Sequence, residues 1–237
     1  MLPTWEDLFE LIRSTPNVRF RDVRETFLDT VQTYNELWIA GELDEGLYRQ
    51  KGTQWQQVIV TIITARTGAA LSGGEIEGLT STHRPDMALF RADGVPLMAG
   101  EAKMAGTRAH VTPSGVRRPE RGGSVDLEKR LKEVKYTSVD LKLRYAGTQI
   151  GEWQEWIRSS LPHFYSFWAF LIVGRDRPEW ILGRMRSLRE HYHDGVGVCM
   201  FRFEDGRYVA YEGPEFNEFD VDVVIDEIVA LIRAQRP

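Results

Sequence analysis

The chain has 237 residues, 42% hydrophobic and 27% charged, with a formal net charge of −5, the balance of a globular chain able to build a packed core. A single cysteine, Cys199, excludes an internal disulfide and any multi-cysteine zinc site, and fits a reducing, cytoplasmic setting. No charged start leads into an apolar run, so no signal peptide is expected. The longest apolar runs, Ile59 to Ile63 and Phe164 to Val173, are too short or too mixed to span a bilayer.

Residues 1–50 read as an N-terminal helical extension and 51–237 as the main α/β domain. Trp5, Leu8, Phe9 and Ile12 form one amphipathic set, with Thr4 and Asp7 as a helix start and Pro16-Asn17 as a break. Val23, Phe27, Val31, Tyr34 and Trp38 recur at steps of three and four, which predicts a second helix that ends at Gly41. That stripe suits a core or interface face, with recognition or dimerisation as the sharper alternative. A third helix, 53–67, buries Trp55, Val58, Ile59, Ile62 and Ile63 and stops at Gly68. Glu75 to Leu79 reads as a short half-buried strand.

The stretch Arg84 to Met104 organises the rest. Pro85-Asp86 opens a strand, Met87 to Phe90, and Ala92-Asp93-Gly94 supplies the positive φ of a tight turn. Val95 to Met104 forms the return strand. Side chains alternate along a strand, so Glu101 and Lys103 share a face, and antiparallel pairing brings Asp86 opposite them. Two carboxylates and an ammonium at the end of an apolar hairpin suit a hard divalent cation with room for water and a phosphate oxygen. The simpler reading is a surface hairpin with an ordinary Glu–Lys pair.

Ala105 to Gly123 has no hydrophobic period and is rich in Gly, Pro and Arg. Arg108, His110, Arg117, Arg118 and Arg121 make it strongly basic and suited to phosphates or guanine edges, or else it is a solvated loop. The chain's overall negative charge does not argue against this, because phosphate binding depends on local positive density. Ser124 is expected to cap a long helix, Val125 to about Tyr145, with Lys135 and Tyr136 as weaker candidates for contacts near the site. Trp153, Trp156, Phe164, Tyr165, Phe167 and Trp168 cluster around a strand, Ser166 to Val173. A helix from Pro178 to His191 follows, then two strands, Val196 to Phe203 and Arg207 to Tyr211, turned at Asp205-Gly206. The last helix is Val221 to Ala234. His191 and His193 lack an evident third ligand, so zinc is not expected.

Pro85-Asp86, fourteen intervening residues, and Glu101-Ala102-Lys103 together resemble the PD-(D/E)XK nuclease superfamily, of which restriction endonucleases are members. The resemblance implies an α/β, restriction-endonuclease-like fold: a mixed central β-sheet flanked by helices. It implies that Asp86 and Glu101 bind Mg²⁺ (Mn²⁺ as substitute), with the Ala102 carbonyl completing the shell, and that Lys103 is the catalytic lysine. Many members place an acid on a preceding helix; here the matching position holds Gln56, and Glu75 or Glu77 matches it poorly. The implied activity is hydrolysis of double-stranded DNA to 5′-phosphate and 3′-hydroxyl ends by a homodimeric type II restriction enzyme. A DNA methyltransferase acting on the same site, outside any complex, would be its counterpart. The alternatives are a repair, phage or branch-specific nuclease of the superfamily, and a DNA-binding protein on an inactive scaffold.

Overall fold

The structure is a computed structural model that describes residues 3–111, 115–146 and 152–235. Its first half runs through helices α1 (Trp5–Ser14), α2 (Phe20–Ile39), α3 (Glu45–Arg49) and α4 (Lys51–Thr67) to short strands β1 (Ile76–Glu77) and β2 (Thr82–His83). A hairpin follows, β3 (Met87–Phe90) and β4 (Pro96–Ala105), and then a small pair, β5 (His110–Val111) and β6 (Arg117–Arg118). The second half holds α5 (Leu127–Tyr145), α6 (Trp153–Ser159), β7 (His163–Ile172), α7 (Pro178–His191), β8 (Gly195–Glu204) and β9 (Arg207–Ala210). A 3-10 turn at Pro214–Phe219 leads into α8 (Val221–Ala234).

The fold is mixed α/β, with a curled five-stranded sheet in the order β3-β4-β7-β8-β9 flanked by helices. The three central strands are parallel, and each outer strand is antiparallel to its neighbour. Parallel neighbours need long crossovers. The segment carrying α5 and α6 makes the first, and α7 makes the second. Central strands covered on both faces cannot alternate apolar with polar. This accounts for the nearly unbroken burial of β7, HFYSFWAFLI.

One face of the sheet is covered by α1, α2, α4 and α8, which share a single apolar core with it. The N-terminal helices therefore belong to that core: Phe20 meets Trp55 edge-on and Phe27 packs against it at a tilt, with ring centroids 5.3 and 5.1 Å apart. Trp55, Val58, Ile59, Ile62 and Ile63 are all fully buried along one side of α4. Each such side chain contributes roughly 1.5–3 kcal/mol. Gly68, at φ +67°, ends the helix in the left-handed conformation, its N–H donating to the Thr64 carbonyl. The start of α2 is closed from far along the chain, where the buried Asp222 carboxylate accepts from the N–H groups of Phe20 (2.6 Å) and Arg21 (3.0 Å). The opposite face is covered by α5 and α7 around Trp168, Phe170 and Met200. Cys199 is buried in the first core. Among the described residues no helix is long and apolar enough to cross a membrane.

Three expectations need correction. Ser124 does not cap α5: its hydroxyl donates to Asp176, and the helix starts at Leu127 after Asp126 in a left-handed turn at φ +65°. The basic segment 105–123 is not wholly irregular. His110 pairs with Arg118 and Val111 with Arg117, and a bridge joins Thr107 to Arg121; positions 112–114 lie outside the described residues. The aromatic cluster around β7 also includes a short helix, α6, at Trp153–Ser159.

Candidate functional site

Register assembles the site. Met87 pairs with Gly100, so the residue before β3, Asp86, falls beside Glu101. β4 has ten residues and β3 only four, so beyond Gly100 the β4 backbone has no β3 residue opposite it. Asp86 takes the first place on that edge: its Oδ2 accepts from Ala102 N at 2.8 Å and from Lys103 Nζ at 3.2 Å. Lys103 Nζ also donates to Glu101 Oε2. Two carboxylates thus share one ammonium, which holds their oxygens within about two hydrogen-bond lengths, roughly 6 Å.

N–H and C=O of one strand residue point to the same edge. The Ala102 N–H points to Asp86, so its carbonyl also lies on the side that β3 leaves uncovered. Gln56 reaches the site from α4, where its Nε2 donates to the Asp86 backbone carbonyl. It contributes no negative charge. Glu75 and Glu77 stand elsewhere, paired with Arg84 and, at 3.6 Å, with Arg144.

Electrostatics distinguish the members. Glu101 is 8% exposed. Burial first, then the Asp86 charge, outweigh the opposing pull of Lys103 and raise its carboxyl to about 7. For Lys103, burial works against the charged form, but the two carboxylates outweigh it and hold the ammonium above its ordinary value. Lys103 therefore stays protonated at neutral pH and donates hydrogen bonds there; Glu101 is the member that titrates near neutrality.

The donor set fits a small hard cation. Mg²⁺ is commonly held by one or two carboxylates and completes its shell with waters and substrate oxygens. Here the groups that could serve are Asp86, Glu101 and the Ala102 carbonyl. Among the described residues no group of three His, Cys, Asp or Glu side chains could hold a metal. An all-side-chain cage of the zinc type is not what these residues build.

The basic segment divides. Arg118, Arg121 and His110 border a cavity at the C-terminal end of β4. Arg121 is paired with Asp126, and His110 lies against the Trp38 ring with centroids 3.8 Å apart. Arg108 turns away to sit 3.4 Å over Phe203, and Arg117 is exposed on β6. Lys51 and Arg130 also line this cavity; they stand at the start of α4 and in the first turn of α5, where sequence periodicity assigns them no role.

A hydrogen-bonded cluster lies N-terminal to Asp86. His83 and Asp140 are buried and bonded at 2.8 Å, with Ser81 and Tyr136 alongside. Ser81 and Asp140 both meet His83 at Nε2, so the cluster cannot relay a proton from hydroxyl to carboxylate across the ring. It fixes the β1–β2 turn onto α5. The chain matches no family model, no curated protein and no solved structure.

Proposed function

We propose that the protein is a Mg²⁺-dependent nuclease of the PD-(D/E)XK type that cleaves double-stranded DNA, as a homodimeric type II restriction enzyme does. The observation that supports this reading best is the convergence of Asp86 and Glu101 on the Lys103 ammonium at the uncovered edge of β4. The order of helices, hairpin and parallel crossovers around a mixed sheet also agrees with a restriction-endonuclease-like fold, by analogy alone.

Asp86, Glu101 and the Ala102 carbonyl would hold the cation, which when bound supplies positive charge to the reacting phosphate. Lys103, being protonated, donates to the attacking water or to a non-bridging phosphate oxygen and stabilises charge that builds on phosphorus. In the overall step the water oxygen bonds to phosphorus and the P–O3′ bond breaks. The water gives up a proton, the 3′-oxygen gains one, and the ends are a 5′-phosphate and a 3′-hydroxyl. A two-fold dimer would present one such site to each strand.

The second reading is a DNA-binding protein without cleavage, and it is favoured by Gln56, which leaves the helix without the acid many such nucleases carry. Plasmid DNA incubated with Mg²⁺ separates the two. The wild type is expected to give discrete fragments, and Asp86→Asn to lose at least about 1000-fold in rate, the scale of a removed transition-state contact of roughly 4 kcal/mol. Equal cutting by wild type and Asp86→Asn would refute the assignment, and binding without cutting would favour the second reading. Cutting restricted to ends or branches would indicate a repair or phage nuclease of the same chemistry.

A further inference from the structure

The cavity at the C-terminal end of β4 has a volume of about 830 Å³ and lies between the first turns of α4 and α5. Its cations are poorly compensated. Lys51 Nζ donates to the Gly106 carbonyl and, at 3.3 Å, to the Tyr48 hydroxyl, and lies 3.5 Å from Thr107 Oγ1 and 4.7 Å from the Tyr48 ring; all of these partners are neutral. Among the described residues no carboxylate lies within ion-pair distance of Lys51, Arg118 or Arg130; Arg121 and Arg49 are paired, with Asp126 and Glu45. The helices that flank the cavity, α4 and α5, both start without a capping side chain, although the Leu127 N–H donates to the Ser124 carbonyl, and their N-terminal ends add partial positive charge. Burial, together with the Arg130 and Arg121 charges, lowers the Lys51 ammonium to about 8. Three acids line the cavity as well, Glu45 and Asp126, already paired, and Glu120, so positive charge is in excess there in a chain whose net charge is −5. An anion seated among the cations would offset that excess.

The cavity borders the end of the strand that carries the candidate site, at Met104 and Ala105. Gly106 follows Lys103 by three residues, about 10 Å along a strand. The intervening β4 edge is the one that β3 leaves uncovered. A phosphate held at Lys51 would therefore lie within a few nucleotides of one held at Lys103. The aromatic groups do not point to a base as the ligand: Trp38 already has Tyr48 stacked on it at 4.0 Å and His110 against it.

We propose that this cavity is a phosphate-binding subsite, centred on Lys51 with Arg118 and Arg130, that holds a phosphate of the nucleic-acid strand running past Lys103. The identity of the strand rests on the nuclease reading; the phosphate chemistry does not. A terminal monoester and an internal diester present the same oxygens, and the test separates them.

Inorganic phosphate, thymidine 5′-monophosphate and thymidine are titrated into the full chain by calorimetry without divalent metal, using wild type, Lys51→Met, Arg130→Ala and, as a control exposed on α1, Arg13→Ala. Phosphate and the nucleotide should bind and thymidine should not. Lys51→Met and Arg130→Ala should each weaken phosphate binding at least tenfold, with Arg13→Ala unchanged. Fluorescence anisotropy with a DNA duplex, with and without a 5′-phosphate, follows at several salt concentrations. Lys51→Met should weaken duplex binding about tenfold and reduce the salt slope by about one. A dependence on the 5′-phosphate identifies the terminal monoester; its absence identifies the diester. Wild-type phosphate affinity in both Lys51→Met and Arg130→Ala, or duplex binding that neither variant alters, would overturn the subsite. That result can occur alongside intact plasmid cutting, and loss of phosphate binding can occur in a chain that never cuts, so the two proposals fail separately. Arg130→Ala removes a side chain near the helix surface, so it remains informative if Lys51→Met does not fold.

Discussion

Replacing Lys103 with methionine removes the ammonium that two carboxylates share and leaves the rest of the hairpin chemically unchanged. Without the pull of Lys103, burial and the Asp86 charge push the Glu101 carboxyl still further up, so Glu101, only 8% exposed, must either hold an uncompensated charge or take up a proton. Deleting one partner of a buried ion pair costs about 3–5 kcal/mol. The Lys103 side chain keeps 23% of its surface exposed, so the lower end applies, about 3 kcal/mol. If the two acids form a cation site, Mg²⁺ can take the place of the lost ammonium. At about 10 mM against a dissociation constant of about 1 mM it restores about 1.4 kcal/mol by mass action. The wild type should gain less, because its ammonium competes for the same oxygens. Urea unfolding of both proteins at pH 8, with Mg²⁺ or with KCl at matched ionic strength, gives the four stabilities. Equal stability of variant and wild type would show that the shared ammonium carries no weight. A variant that gains no more from Mg²⁺ than the wild type would remove the case for a cation between Asp86 and Glu101.

Two further outcomes follow from the geometry. His193 is buried against Ser166, and burial lowers its imidazole from 6.5 to about 3. Between those values the unfolded chain binds a proton that the folded chain refuses. Stability should therefore fall as pH drops below 6.5, by about 1.4 kcal/mol per pH unit and about 2 kcal/mol by pH 5. Glu101 works in the opposite direction: its raised value makes its contribution complete below 4.5 and lost as pH rises through about 7. Denaturant unfolding is therefore compared in a Glu101→Gln background, where adding His193→Gln should flatten the acid limb; parallel limbs would contradict the assignment. Gly100→Ala would place a Cβ 2.9 Å from the Tyr165 carbonyl oxygen and 3.1 Å from Met87 Cγ, between β7 and β3. Backbone cannot swing aside, so thermal melting should report an overpacking cost of about 1–3 kcal/mol; an unchanged melt would mean that the hairpin slides freely on β7.

The sequence made local features legible. The hairpin followed from the Asp93-Gly94 turn and the apolar run on each side of it, and the position of Asp86 followed from antiparallel register. The bounds of α7 and α8 came from Pro178 and from the apolar spacing of Val221 to Ala234. The second hairpin was equally local: Asp205 and Gly206 both have positive φ, as a tight two-residue turn needs. What escaped depends on distant partners. Ser124 resembles an N-cap, but Asp176, fifty-two positions away, takes its hydroxyl. The strands β5 and β6 have two residues each and show no alternation to detect. Lys51 lies just ahead of the expected helix 53–67 and nothing in the sequence marks it, because its isolation from carboxylates exists only once α3, α5 and the end of β4 surround it.

Cys199 offers a practical consequence. It is the chain's one thiol, it is buried, and burial pushes it up to about 12. A thiol so rarely ionised and so inaccessible is a poor nucleophile toward maleimides. A cysteine introduced on the surface of the otherwise native sequence should therefore label selectively with a fluorophore or spin probe, and distances between paired labels can be measured without first deleting the natural residue.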